Sequence, residues 1–98
     1  MTSTLPTQEQ VDRIAAELAP DVVRIRIDIG LDHTDDPAMY FKVTLSDEAS
    51  RRDRLWEVAR RVEAEVKEKL GLDRFEHFPY FRFRNVSEQA VLRDESWA

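Results

Sequence analysis

Three stretches of the chain alternate apolar and polar side chains with a period of two, and two others repeat apolar positions every three to four residues. The first helical stretch carries Val11, Ile14, Ala15 and Leu18 on one side and Asp12, Arg13 and Glu17 on the others. Thr7 followed by Gln10 has capping-box spacing, which predicts the helix start, and Pro20 ends it because the residue before proline leaves the α region. From Asp21, Val23, Ile25, Ile27 and Ile29 alternate with Arg24, Arg26 and Asp28, the pattern of a half-buried strand. A turn-rich loop, Gly30 to Ala38, leads to a second strand with Met39, Phe41, Val43 and Leu45 against Tyr40, Lys42 and Thr44. Ser46 is suited to cap the next helix, with Asp47 and Glu48 in its first turn. That helix carries the stripe Leu55, Val58, Ala59, Val62, Val66 and Leu70, with Trp56 at the rim of the core. The pairs Glu57–Arg61, Glu63–Lys67 and Glu65–Lys69 are spaced i,i+4, and Gly71 supplies the stop. His77 to Asn85 alternates again, Phe81 and Phe83 against Tyr80, Arg82 and Arg84, with Pro79 near the start where a missing amide does least harm.

The order α-β-β-α-β predicts an α+β fold, a two-layer sandwich with two helices on one face of a three-stranded sheet. A hairpin cannot bridge the second helix, so the third strand is expected to run parallel to one of the first two. With 98 residues, one domain spans the chain: a core over 7–85 and a C-terminal extension over 86–98 outside this plan.

If the helices cover the apolar side, the other side is open and its residues follow from the alternation. They are Arg24, Arg26, Asp28, Tyr40, Lys42, Thr44, Tyr80, Arg82 and Arg84. Five cations against one anion run opposite to the formal net charge of −5. Guanidinium groups beside tyrosines suit carboxylates, phosphates and stacked bases. An acidic chain is repelled by a polyanion, so an acidic protein surface is favoured as partner over RNA. The residues expected to contact it are Arg24, Arg26, Tyr40, Lys42, Tyr80, Arg82 and Arg84. Trp97 either folds back over the sheet or joins them as an aromatic anchor. The plainer reading is a solvated strand face whose cations and tyrosines satisfy one another.

Other chemistry is poorly provided for. The chain has no cysteine and two histidines, which removes disulfides, thiolate metal sites and cysteine nucleophiles. Asp32, His33, Asp35 and Asp36 match no calcium loop, and His77 belongs to no zinc spacing, so no metal or other cofactor is expected. The carboxylates lie on the long helix or in turns, and Gly30 and Gly71 are too far apart for a phosphate loop. A non-enzymatic interaction module is therefore expected, with a homodimer through a sheet edge or face as the structural alternative. No apolar run has spanning length, and Met1 to Gln10 lacks the pattern of a leader, so no membrane association and a cytoplasmic location are expected.

The element order is similar to that of bacterial KH-type RNA-binding domains, of related ribosome-binding factors, and of the cytosolic domain of cation-diffusion transporters. At the KH loop, Gly71-Leu72-Asp73-Arg74 keeps only the first glycine of GxxG, so the nucleotide clamp is not supported. Asp36-Pro37-Ala38, Leu45-Ser46-Asp47-Glu48-Ala49, Pro79-Tyr80-Phe81 and Ser87-Glu88-Gln89-Ala90 resemble segments of small bacterial proteins that accompany HEPN-domain proteins. That resemblance implies a HEPN-domain partner with RNase-like toxin activity, and an antitoxin-like role for this chain. It transfers no site residue.

Overall fold

Thr7 begins the ordered helix as its spacing predicts. In α1, Gln8–Glu17, the Gln10 amide donates to Thr7 Oγ1 at 3.3 Å and the Thr7 amide to Gln10 Oε1 at 2.9 Å. This computed structural model describes residues 5–98, so the first four positions of the stretch Met1 to Gln10, read above for a leader pattern, lie outside the described residues. Val11, Ile14 and Ala15 face the core, and α1 ends ahead of Pro20.

Strand β1, Val22–Leu31, pairs antiparallel with β2, Pro37–Leu45, which pairs parallel with β3, Phe78–Asn85. The sheet is mixed, in the order β1-β2-β3. Met39, Phe41, Val43 and Leu45 of the central strand are fully buried. One residue departs from the expected alternation. The β1–β2 register shifts between Val22 and Arg24, so Val22 takes the core position and Val23 is 56% exposed. Two adjacent valines satisfy a period-two pattern either way, and the extra residue in the ladder decides between them.

The second helix starts later than Ser46 suggests. Ser46 Oγ does accept from Ala49 N at 3.1 Å, but the chain then makes separate turns as far as Arg54. Helix α2 runs Leu55–Leu70, and its Arg54 cap position makes no side-chain cap. Instead Arg54 reaches Asp21 at 3.0 Å, and Ser46 N bonds Asp21 O at 2.9 Å, tying both ends of this connection to the start of β1. Gly71 closes α2 in the left-handed region at φ 59°, a conformation glycine adopts without a Cβ penalty. Of the three expected i,i+4 pairs, Glu65 and Lys69 approach to 3.5 Å, and Lys69 also pairs with Glu17 of α1. Lys67 instead stands 5.8 Å from the Phe81 ring centroid. Trp56 is 75% exposed, not at the core rim.

Helices α1 and α2 cover one face of the sheet, giving the α+β sandwich. Residues 86–98 do not stay outside it. Val86–Leu92 form α3 and Glu95–Trp97 a 3-10 turn, extending the order to α-β-β-α-β-α. No helix among the described residues is long and apolar enough to cross a membrane.

Candidate functional site

The strand registers align the polar side chains in three rows across the sheet. Asp28, Tyr40 and Tyr80 form the row nearest the hairpin, Arg26, Lys42 and Arg82 the middle row, and Arg24, Thr44 and Arg84 the row nearest α3. All nine share the side opposite α1 and α2, because strands in register keep the same side-chain parity.

This face is only partly open, which corrects the expectation of an uncovered surface. The C-terminal segment folds across the row nearest α3. Trp97 is 3% exposed, and the Arg84 guanidinium lies 4.3 Å from its ring centroid. Thr44 is buried beside it. Arg84 Nη1 also donates to Gln89 Oε1 at 3.1 Å and Asp94 Oδ2 at 3.3 Å, and Gln89 Nε2 donates to Asp94 O at 2.6 Å. Lys42 Nζ reaches Ser96 O at 3.4 Å and Arg26 Nη1 reaches Ala98 O at 2.9 Å. Of the two courses expected for Trp97, it takes the first and folds back over the sheet, so it is not available as a partner contact, and Arg84 is engaged in holding it.

The segment is anchored by local polar chemistry. Asn85 and Glu88 form a capping box at the start of α3, with Glu88 N donating to Asn85 Oδ1 at 2.7 Å and Asn85 N to Glu88 Oε1 at 3.1 Å. That spacing is visible in the sequence and would have located α3. The Ser87 hydroxyl and amide donate to Asp47, which lowers the Asp47 carboxyl below its ordinary range, so the residue expected to start α2 holds α3 instead. Asp94 is likewise lowered, first by the Ser96 hydroxyl and amide and then by Arg84.

The hairpin end is locked by Asp32. Its Oδ1 accepts from Thr34 N at 2.8 Å, Thr34 Oγ1 at 2.6 Å and Asp36 N at 3.1 Å, and its Oδ2 accepts from the Tyr80 hydroxyl at 3.0 Å. The acidic loop is thus a hydrogen-bonded turn fastened to β3, and no group of three or more metal-ligating side chains is found among the described residues. The Thr34 hydroxyl, with the Thr34 and Asp36 amides and Tyr80, holds the Asp32 carboxyl far below its usual range. A depressed folded pKa contributes stability above the unfolded value of about 3.9, and that contribution is lost as pH falls toward the folded value. The same bond raises the Tyr80 phenol. In Asp32→Ala, Tyr80 is expected to ionise at lower pH than in the native protein, seen by ultraviolet absorbance titration; an unchanged titration would exclude this latch.

What stays accessible is a strip. Asp28 pairs with Lys42 at 2.9 Å and Arg26 at 3.7 Å, so with Asp94 two carboxylates oppose the five cations. Arg24 and Arg82 form no ion pair among the described residues and are exposed. Beside them the Tyr40 and Tyr80 rings stack at 5.4 Å, with Phe78 against Tyr80 at 5.0 Å. The Tyr40 hydroxyl is spent on Leu31 O at 3.0 Å, so these tyrosines offer ring faces more than hydroxyls. Separately, an open groove of about 550 Å³ lies between the end of α2 and the start of β3, with Lys67, Glu68, Phe75, His77 and Pro79 among its lining. No buried side-chain nitrogen or oxygen among the described residues lacks a hydrogen-bond partner.

No family model, curated protein or solved structure matches the chain.

Proposed function

We propose that the protein is a non-enzymatic interaction module that holds an acidic segment of a partner protein on its strip of arginine and tyrosine. The observation carrying this reading is the row Arg26, Lys42 and Arg82, three cations side by side across the sheet, beside a stacked tyrosine pair. The chain's own Asp94-Glu95-Ser96-Trp97-Ala98 illustrates the chemistry: its Asp94 carboxylate and Trp97 ring go to Arg84, Lys42 reaches the Ser96 carbonyl and Arg26 the Ala98 oxygen. An incoming segment rich in Asp and Glu would find Arg24 and Arg82 without internal ion pairs to break. An antitoxin-like role with a HEPN-domain protein as partner is the biological form of this reading, and it rests on the resemblance of the four segments named above.

The test uses two labelled probes, a Glu- and Asp-rich peptide and a single-stranded RNA. The peptide is expected to bind in a salt-sensitive manner. Arg24→Glu with Arg82→Glu should weaken it by about tenfold or more, since charge-assisted contacts are worth ~1.5 kcal/mol or more each. Circular dichroism should be unchanged, because both side chains are exposed. RNA binding at low salt with no peptide binding would replace this reading by nucleic-acid recognition.

A further inference from the structure

The two edges of the sheet are treated differently. On β1, the Gln8 side chain acts as a surrogate strand: its Nε2 donates to Ile25 O at 2.7 Å and its Oε1 accepts from Ile27 N at 3.0 Å. That blocks the middle of this edge, at Ile25 and Ile27. On β3, the only backbone group satisfied by a side chain of the described residues is the Asn85 amide, taken by Glu88. This bond points the Asn85 amide away from β2, and alternation along the strand gives the same outward direction to Phe83, Phe81 and Pro79. Proline on this register breaks no ladder bond, and it leaves the amides of Phe81 and Phe83 as the outward donors.

Apolar surface lies along that same edge. Phe81 and Phe83 are only partly buried, although their neighbours Phe41 and Val43 on β2 are fully covered. Phe78 is 60% exposed. Trp56, Glu63 and Lys67 fall on one side of α2 by helical spacing, the side from which Lys67 reaches the Phe81 ring, so the exposed indole flanks the edge too.

We infer that β3 pairs antiparallel with β3 of a second copy of this chain, about a two-fold axis through Phe81. The register follows from charge and hydrogen bonding together. Centred on Phe81, the pairing sets Phe81 against its symmetry mate and Phe83 against the mate's Pro79, so the outward Phe81 and Phe83 amides find carbonyls. On the other face it sets Arg82 against the mate's Tyr80, a guanidinium on a phenol ring, twice over. Centring the axis on Arg82 would oppose two like charges, which is unfavourable across a strand pair. On the helical side the same axis brings the two α2 flanks, each carrying Trp56, Arg60, Glu63 and Lys67, together in opposite directions.

The area is of the right order. Aromatic side chains present ~150–250 Å² each, so Trp56 and Phe78 at their observed exposure supply roughly 600 Å² over two copies. Phe81, Phe83 and two eight-residue strand edges add to this, against the about 1,000 Å² expected of a biological interface. The result is a six-stranded sheet in which both cationic strips lie on one side, because the axis is perpendicular to the sheet. Arg82 and Tyr80 take part in both surfaces, but the strand-edge hydrogen bonds and Trp56 lie outside the strip, so the dimer does not depend on what the strips bind.

Light scattering across a range of concentrations is expected to show a species of twice the chain mass, and amide hydrogen exchange to show the Phe81 and Phe83 amides protected in it. Trp56→Glu, at an exposed position, should weaken dimerisation about tenfold or more with unchanged circular dichroism, since a carboxylate replaces an interface anchor. Arg82→Glu should weaken it less. A monomer at every concentration would overturn the proposal. So would a dimer in which the Phe81 and Phe83 amides exchange freely, which would put the interface elsewhere.

Discussion

Replacing Phe41 with alanine is expected to destabilise the protein by about 3–5 kcal/mol, the range for truncating a buried phenylalanine. Phe41 sits at the middle of the central strand, between Ile27 and Phe81 in the register, and is fully buried. Its ring stacks on Phe81 with centroids 5.0 Å apart and planes 17° from parallel. Truncation removes the ring's contacts and leaves a cavity that neighbours in two sheet pairings and two helices cannot all relax to fill. At ~4–8 °C per kcal/mol for a domain of this size, Tm should fall by at least about 12 °C in thermal denaturation followed by circular dichroism. Phe81→Ala removes the same group from a half-covered edge strand, so its cost should be clearly smaller. At concentrations where the chain is monomeric, equal losses for the two would mean that β3 is as enclosed within one chain as β2.

The three strands were legible from the sequence, but which of them is central was not, because the third could pair with either of the first two. Alternation at Ile25, Ile27, Phe41, Val43, Phe81 and Phe83 is enough to assign three strands and the parity of every charged residue on them, because a buried face tolerates only one register. The helix before β3 rules out a hairpin and makes the strand parallel to one of the first two, and the structure pairs it with β2. Three features were hidden for physical reasons. Val22 and Val23 are both apolar, so the pattern cannot say which one the bulge turns outward. Ser46 makes its local bond to Ala49, but Asp21 holds Ser46 N and Arg54 and so delays α2 to Leu55. The closure of the cationic face depends on a polar network around Arg84 and one distant tryptophan. Periodicity reads apolar stripes, and α3 buries none of its residues.

Trp97→Ala should therefore act locally before it acts globally. A seven-residue helix with no buried residue cannot persist alone, and the Trp97 ring under Arg84 is the one large apolar group that fastens residues 86–98 to the sheet. Truncating a buried tryptophan costs about 3–5 kcal/mol where the site must stay folded. Here the segment can detach instead, and the global loss is then limited to what its docking contributes. The expected signature is a smaller fall in Tm than for Phe41→Ala, together with amide exchange over residues 86–97 that is faster by about tenfold or more, as a local opening of ~1.4 kcal/mol lower free energy requires. Trypsin should cleave after Arg93 correspondingly faster. Release also returns Lys42 and Arg84 to the cationic strip, so an acidic peptide should bind this variant more tightly than it binds the native protein. A single cooperative loss as large as that of Phe41→Ala, with residues 86–97 still protected below the transition, would show that the C-terminal segment belongs to the core and is not a cover over the face.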